Sequence, residues 1–257
     1  MTVFVDTHCH FDFAPFSGNE AESLRLAAEA GVEKIIVVGV AATRFAGVMA
    51  LAEKYQPLYA ALGTHPMAIA DHQEAHLQQL ENYLRQRSPK LVAIGEIGLD
   101  LYIENPQFDK QQAVLDAQLR LARDYNLPVI LHSRRTHDKL AMHLRKLDLP
   151  ARGVVHGFAG SEQQALAFIR EGFAIGVGGT ITYERASKTR NAIARLPLSS
   201  LLLETDSPDM PVQGFQGEPN RPERIKNVWQ SLCEIRQEAP QVIAETIREN
   251  SRRLFGI

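Results

Sequence analysis

Two histidines placed two residues apart, His8 and His10, close a short apolar run, Val3-Phe4-Val5, and an acid, Asp6, shares their alternation. In extended chain, side chains two apart face the same side, so His8 and His10 can chelate one cation while Cys9 points away. Asp6 lies on that face, placed to orient a histidine from behind. The same punctuation recurs along the chain. Glu96 follows Leu91-Val92-Ala93-Ile94, His132 ends Val129-Ile130-Leu131, His156 ends Val154-Val155, and Asp206 lies just past Leu201-Leu202-Leu203. Imidazoles and carboxylates suit zinc, manganese, iron or nickel, and carboxylates with waters also accept magnesium. Four histidines and two carboxylates exceed what one tetrahedral ion uses, so two divalent ions are the economical reading.

Such ligands must be delivered by strands that end at one level. Short β-branched runs alternate with ten-to-twenty-residue helical patterns, as in parallel βαβ units. Strands are predicted near Val3-Thr7, Lys34-Val38, Leu58-Ala61, Leu91-Ile94, Val129-His132, Gly153-His156, Ala174-Gly176 and Leu201-Glu204. Eight is the number a closed barrel needs, and in such barrels the active site gathers at the strands' C-terminal ends. Helices are predicted over Ala21-Ala30, Gln111-Tyr125 and Glu162-Glu171, ended by Gly31, Asn126 and Gly172, where a left-handed cap is wanted. The fold class expected is α/β, a TIM-type (β/α)8 barrel forming a single domain over residues 1–257. Only Ser207-Pro222, rich in proline and glycine, breaks the pattern, and as the loop after the last strand it is expected to cover the site.

Each residue alone has a bland explanation. A lone strand-end histidine is usually a satisfied or exposed one, an acid after a strand is often a helix N-cap, and Asp206-Ser207-Pro208 reads as a turn. The D-x-H-x-H element closing a first barrel strand reverses that preference, and the joint arrangement is hard to produce by chance. Other candidates are set aside. His72 and His76 lie four apart, but no glutamate stands where a zincin needs it, and the segment reads as the solvated start of a helix with Leu77, Leu80 and Leu84 inward. His137 and His143 are expected on the surface, Cys9 and Cys233 as small hydrophobes, and Gly176-Val-Gly-Gly179 as a tight turn lacking the P-loop lysine.

Bulk properties narrow the context. The chain has 257 residues, 45% hydrophobic and 23% charged, enough for a core without disulfides, and two distant cysteines offer no disulfide framework. A net charge of −2 gives no general attraction to nucleic acid, so any polyanion must meet a local patch. The N-terminus lacks a basic leader and the longest apolar runs are strand-sized, which predicts a cytoplasmic protein with no membrane contact and no obligatory protein partner.

Six stretches together resemble the TatD-related metal-dependent deoxyribonucleases of the amidohydrolase superfamily. They are Asp6-Thr-His-Cys-His10, Gly63-Thr-His-Pro66, Gly95-Glu-Ile-Gly-Leu-Asp100, Leu127-Pro-Val-Ile-Leu-His-Ser-Arg134, His156-Gly-Phe-Ala-Gly160 and Glu204-Thr-Asp-Ser-Pro208. Asn250-Ser-Arg-Arg-Leu-Phe255 is similar to the family's closing helix, so the likeness runs through essentially the whole chain in order. The resemblance implies a binuclear site. His8, His10 and Asp206 hold one ion, His132 and His156 the other, and Glu96 bridges where many amidohydrolases use a carboxylated lysine. It further implies that His65 and Arg134 face the substrate, the former as a phosphate or leaving-group contact and the latter as a cationic clamp. Two departures fall where substrate is gripped: Leu101 precedes Tyr102 after Gly-Leu-Asp, and the last loop reads Glu218-Pro-Asn-Arg-Pro222.

The function expected is divalent-metal-dependent hydrolysis of a phosphodiester, with DNA as the foremost substrate and zinc, magnesium or manganese as the ions. A bridging water ionises near neutral pH, Asp206 takes its proton, the hydroxide attacks phosphorus, and His65 or a second water protonates the leaving oxygen. The alternative is an amidohydrolase acting on a C–N or C–O bond of a small molecule, which the same ligands support. A non-catalytic metal or nucleic-acid binding module is the third reading, against which Asp206 weighs. Arg134, Arg135, Lys139, Arg145, Lys146 and Arg152 make a basic stretch that serves equally as a solvated helix face. Phe11, Phe13, Phe16 and Tyr102 are able to stack a base, with core packing the safer reading, and no aromatic-interleaved basic stripe stands out.

Overall fold

The structure is a computed structural model describing residues 1–257. Eight parallel strands form one sheet in sequence order: β1 Phe4–Cys9, β2 Val32–Val38, β3 Leu58–Leu62, β4 Leu91–Asp100, β5 Val129–Arg134, β6 Gly153–Val155, β7 Ala174–Val177 and β8 Leu201–Leu203. Between them run α1 Glu20–Glu29, α2 Phe45–Lys54, α3 Glu74–Gln86, α4 Phe108–Tyr125, α5 His137–Lys146, α6 Glu162–Arg170 and α7 Ser187–Arg195. After β8 come α8 Ile225–Ile235 and α9 Pro240–Phe255. The first and last strands meet through a Cys9–Ser207 bridge and the bonds Asp206 N–H to His8 O and His10 N–H to Ser207 O, each 2.8 Å. Every strand therefore has a neighbour on both sides, and the sheet is a TIM-type (β/α)8 barrel.

The apolar runs lack strict alternation because both faces of each strand are buried. Ile35 and Val37 pack outward into a cluster of 50 buried residues shared with the helices. Ile36, Val38, Ala61, Val92, Ala93, Ile130, Val154 and Leu202 point inward and fill the barrel, and Phe255 of α9 joins them. Asn250 of that helix donates to Leu198 O and Leu201 O, which fixes the closing helix under β8. No helix is long and apolar enough to cross a membrane.

Inward parity then sets the chemistry. Two residues beyond Ile130 stands His132, two beyond Val154 stands His156, and two and four beyond Leu202 stand Glu204 and Asp206. The predicted helix ends hold as well. Asn126 adopts φ 52° and its N–H reaches Ala122 O, the left-handed cap that asparagine tolerates. Two strands outrun their apolar cores, β4 continuing through Glu96 to Asp100 and β5 through His132 to Arg134, since their polar residues line the barrel mouth rather than end the pairing.

Candidate metal centre

The six predicted ligands converge. His8 Nε2 lies 3.3 Å from both Glu96 Oε2 and Asp206 Oδ1, His10 Nε2 lies 3.3 Å from Asp206 Oδ1, and His156 Nε2 lies 3.1 Å from Glu96 Oε2. His8 and Glu96 are 0% and 2% exposed, so these charges and dipoles sit away from water. The atoms approach without bonding: both ring nitrogens of His8, Nδ1 of His10 and Oε2 of Glu96 are buried and make no hydrogen bond. Buried polar atoms normally find partners. Imidazole lone pairs and carboxylates aimed at common points are instead what a divalent cation satisfies, and this donor set fits one. Two triplets, His8–Glu96–His156 and His8–His10–Asp206, each bring their ligand atoms within 4.8 Å of one another.

Outer partners decide which nitrogen each ring offers. His132 Nε2 donates to Asp100 Oδ2 at 2.7 Å, which leaves Nδ1 as its free lone pair. His156 Nδ1 faces Glu204 Oε1 at 3.3 Å, which leaves Nε2 toward Glu96. Sequence reasoning assigned no role to Asp100 or Glu204, although both stand in the quoted motifs. The carboxylate of Glu204 also accepts Gly157 N–H and occupies the space beside Gly176, where a Cβ lies 2.5 Å from Glu204 Oε2. The glycines predicted as a tight turn thus admit a buried carboxylate.

His65 forms a third triplet with Glu96 and His132, its Nε2 3.3 Å from Glu96 Oε1. Its Nδ1 accepts Met67 N–H at 2.9 Å, so the ring proton sits on Nε2 and faces the cavity. A ring in that tautomer donates rather than ligates, which separates His65 from the six predicted ligands. Asp6 departs from expectation. Its oxygens accept His8 N–H, Thr205 N–H and the Thr205 hydroxyl, so it fastens the β1 end to the loop bearing Asp206 and touches neither imidazole.

Burial opposes charge at every one of these groups, and neighbours overcome it at most of them. The Glu96 carboxyl is held well below the usual carboxylate range because His156, His65 and His8 outweigh its burial. Asp206 is likewise held low, chiefly by His10 and His8. Against burial and the repulsion of His156, Glu96 and Asp206 push His8 up to about 9. Against burial, His10 is raised by Asp206 and Glu96, and His156 by Glu96 and Glu204. At His132 burial wins and the pKa falls. Burial raises Asp6 to about 7.

Residues outside the centre mix agreement and correction. His143, expected on the surface, is buried with Nδ1 2.7 Å from Asp116 Oδ1 and Nε2 3.0 Å from Gln112 Oε1, tying α5 to α4. His137 is half-buried between the Ser133 hydroxyl and Ala159 O. His72, expected on a solvated helix start, is buried ahead of α3. Phe11 and Phe16 stack on each other in the core, 5.1 Å apart. Asn220, in the altered last-loop motif, is buried and donates to Thr205 O and Met210 O. Through Asn220 that motif braces the Asp206 segment.

A family model described as TatD related DNase matches residues 5–256. The chain belongs to the TatD-related DNase family. It is 62% identical to YjjV of Escherichia coli K12, named an uncharacterized metal-dependent hydrolase, over 99% of this chain and 98% of that one. The crystal structure of that YjjV superposes with a TM-score of 0.98 over the same shares of the two chains. The Escherichia coli K12 protein named 3'-5' ssDNA/RNA exonuclease TatD is 29% identical over 94% of this chain and 95% of its own. A TatD family hydrolase from Entamoeba histolytica, 23% identical, shares the fold with a TM-score of 0.88 over 99% and 98% of the two chains. The protein is thus a metal-dependent hydrolase of the TatD family.

Proposed function

We propose that this TatD-family hydrolase cleaves phosphodiester bonds of nucleic acid, DNA foremost. His8, His10 and Asp206 would hold one divalent cation and His132 and His156 the second, with Glu96 shared between them. Zinc, magnesium or manganese suits the set. Bound cations of this kind make water more acidic and stabilise charge on phosphoryl oxygens. The observation that carries the reading is the convergence of four imidazoles and two carboxylates at the C-terminal mouth of the barrel, with buried atoms of His8, His10 and Glu96 left without hydrogen-bond partners. Nuclease-named relatives at lower identity favour a phosphodiester over a C–N substrate.

The protein's own groups divide the work. Asp206, held in a left-handed conformation at φ 57°, keeps its carboxylate unprotonated at neutral pH and accepts the proton of the attacking water. His65 presents Nε2–H to the leaving oxygen. Arg134, exposed at the end of β5 and free of any ion pair, clamps a phosphate. Metal-loaded protein is expected to hydrolyse single-stranded DNA and a generic phosphodiester, to lose both activities with chelator, and to spare carboxylic esters. Asp206→Asn should lower kcat by at least about a hundredfold, the typical worth of a positioned base, with an unchanged circular dichroism spectrum. Chelator-resistant activity, or turnover confined to esters and amides, overturns the reading.

A further inference from the structure

Six large hydrophobic side chains are strongly exposed, and three of them, Met67, Tyr102 and Met210, lie on loops that follow β3, β4 and β8 at the barrel mouth. Tyr102 is 52% exposed and Met67 70%. The next strand brings cations to the same place. Arg134 pairs in register with Asp100, and its guanidinium lies 3.7 Å from the centre of the Tyr102 ring, with that of Arg135 at 4.7 Å. Lys139 reaches 5.7 Å from the Phe108 ring at the start of α4. None of these three cations takes part in an ion pair. On a protein of net charge −2, unpaired cations gathered on an exposed aromatic beside the candidate metal centre suit an anionic ligand with a stackable ring.

We infer that Tyr102, Arg135 and Lys139 form a strand-gripping subsite for single-stranded nucleic acid, in which the tyrosine ring or its guanidinium cap stacks an unpaired base while the cations meet backbone phosphates. The inference rests on the nucleic-acid reading above and adds to it where the strand lies: over β3–β5, on the side of His65 and His132. Geometry favours a single strand. Glu96 and His8 are almost inaccessible whereas Tyr102 stands open, so a chain that lowers one phosphate to the metals runs outward across the ring. A base can stack there only if it is not already stacked within a duplex. Cation–π contact holds the ring and guanidinium in place before the strand arrives.

The test uses the metal-loaded enzyme, a fluorescent single-stranded oligonucleotide, the same oligonucleotide with abasic positions, and bis(p-nitrophenyl) phosphate. Tyr102→Ala should raise the oligonucleotide KM about tenfold, the scale of one base–aromatic stack, with little change in kcat and a much smaller loss on the small diester, which has no strand to stack and meets only the phosphate clamp that the ring supports. Tyr102→Phe should restore the wild-type KM, and the abasic strand should not distinguish wild type from Tyr102→Ala. Arg135→Ala should lower the slope of log affinity against log salt by about 0.7, one phosphate contact on a single strand. An unchanged oligonucleotide KM in Tyr102→Ala, or an equal loss on both substrates, overturns the subsite while leaving the nuclease reading in place. A wild-type enzyme that hydrolyses the small diester but neither binds nor cuts any oligonucleotide overturns both.

Discussion

Replacing Asp100 by asparagine keeps the shape of a buried side chain and reverses one hydrogen bond. The carboxylate spans two donors, accepting His132 Nε2–H through Oδ2 and Tyr102 N–H through Oδ1, both at 2.7 Å. The His132 contact, working against burial, holds it in the charged form. An asparagine in the same place has two orientations. With its oxygen on Tyr102, its amide NH2 faces Nε2, which must then accept, and the ring proton moves to Nδ1, the nitrogen needed by the metal. With its oxygen on Nε2, two buried donors face each other at Tyr102. Either outcome leaves one buried polar group unmet, at about 1–3 kcal/mol, or roughly a fivefold to hundredfold change in an equilibrium at about 1.4 kcal/mol per tenfold. That agrees with the tenfold to hundredfold effect typical of groups behind metal ligands. Competition titration of metal-stripped protein against a chromogenic chelator reads the two ions separately. Expected is a loss of that size at the ion served by His132, with the ion on His8, His10 and Asp206 held as before. Unchanged affinity at both ions refutes the idea that Asp100 fixes the His132 tautomer, and equal losses at both refute its confinement to one ion.

Two further outcomes follow from the same geometry. Gly176→Ala sets a methyl 2.5 Å from Glu204 Oε2 and 2.9 Å from the His156 Cα, so it should cost about 1–3 kcal/mol in chemical denaturation, the usual scale of overpacking, and weaken the ion on His156; a variant as stable and as metal-avid as wild type removes Glu204 from its positioning role. Metal uptake should release protons at pH 7, because His8 and His156 hold theirs in the metal-free protein and a cation needs the free base. Affinity therefore climbs as pH rises and is still climbing at about 9, where His8 is half deprotonated; calorimetry in two buffers of different ionisation enthalpy measures the release, and identical heats in both sink the assignment.

The parts legible in the sequence were those governed by strand periodicity and strand ends. Eight short apolar runs announced eight strands, and a polar residue closing five of them announced the mouth, because a parallel barrel buries both faces until the layer where the site begins. The same cue misplaced element ends: it stopped β4 at Ile94, though pairing continues to Asp100, since the extra residues are polar for the site and still extended for the sheet. Histidines away from strand ends were misread for a related reason. The His143 side chain lies among Arg145, Lys146 and Asp148 in sequence, yet its burial depends on Asp116 and Gln112 of another helix, more than 25 positions earlier. Local polarity carries no record of such a partner.

Asp100 and Glu204 show why the outer half of the centre was harder to see than the inner half. A ligand's role follows from its chemistry and its place at a strand end, both local. The role of a carboxylate behind it follows from which ring nitrogen it meets across the sheet, His132 on the neighbouring strand for Asp100 and His156, beyond β7, for Glu204. Those pairings are set by sheet register, in which Gly98 rather than Asp100 stands level with His132. The same register carries Arg134 level with Asp100 and onto Tyr102. A basic stretch that served equally as a solvated helix face therefore delivers its first members to the mouth and leaves later ones, Arg145 and Arg152 among them, paired with Glu171 and Asp148 on the outside. The division between site and surface within that stretch is made by where β5 ends and α5 begins.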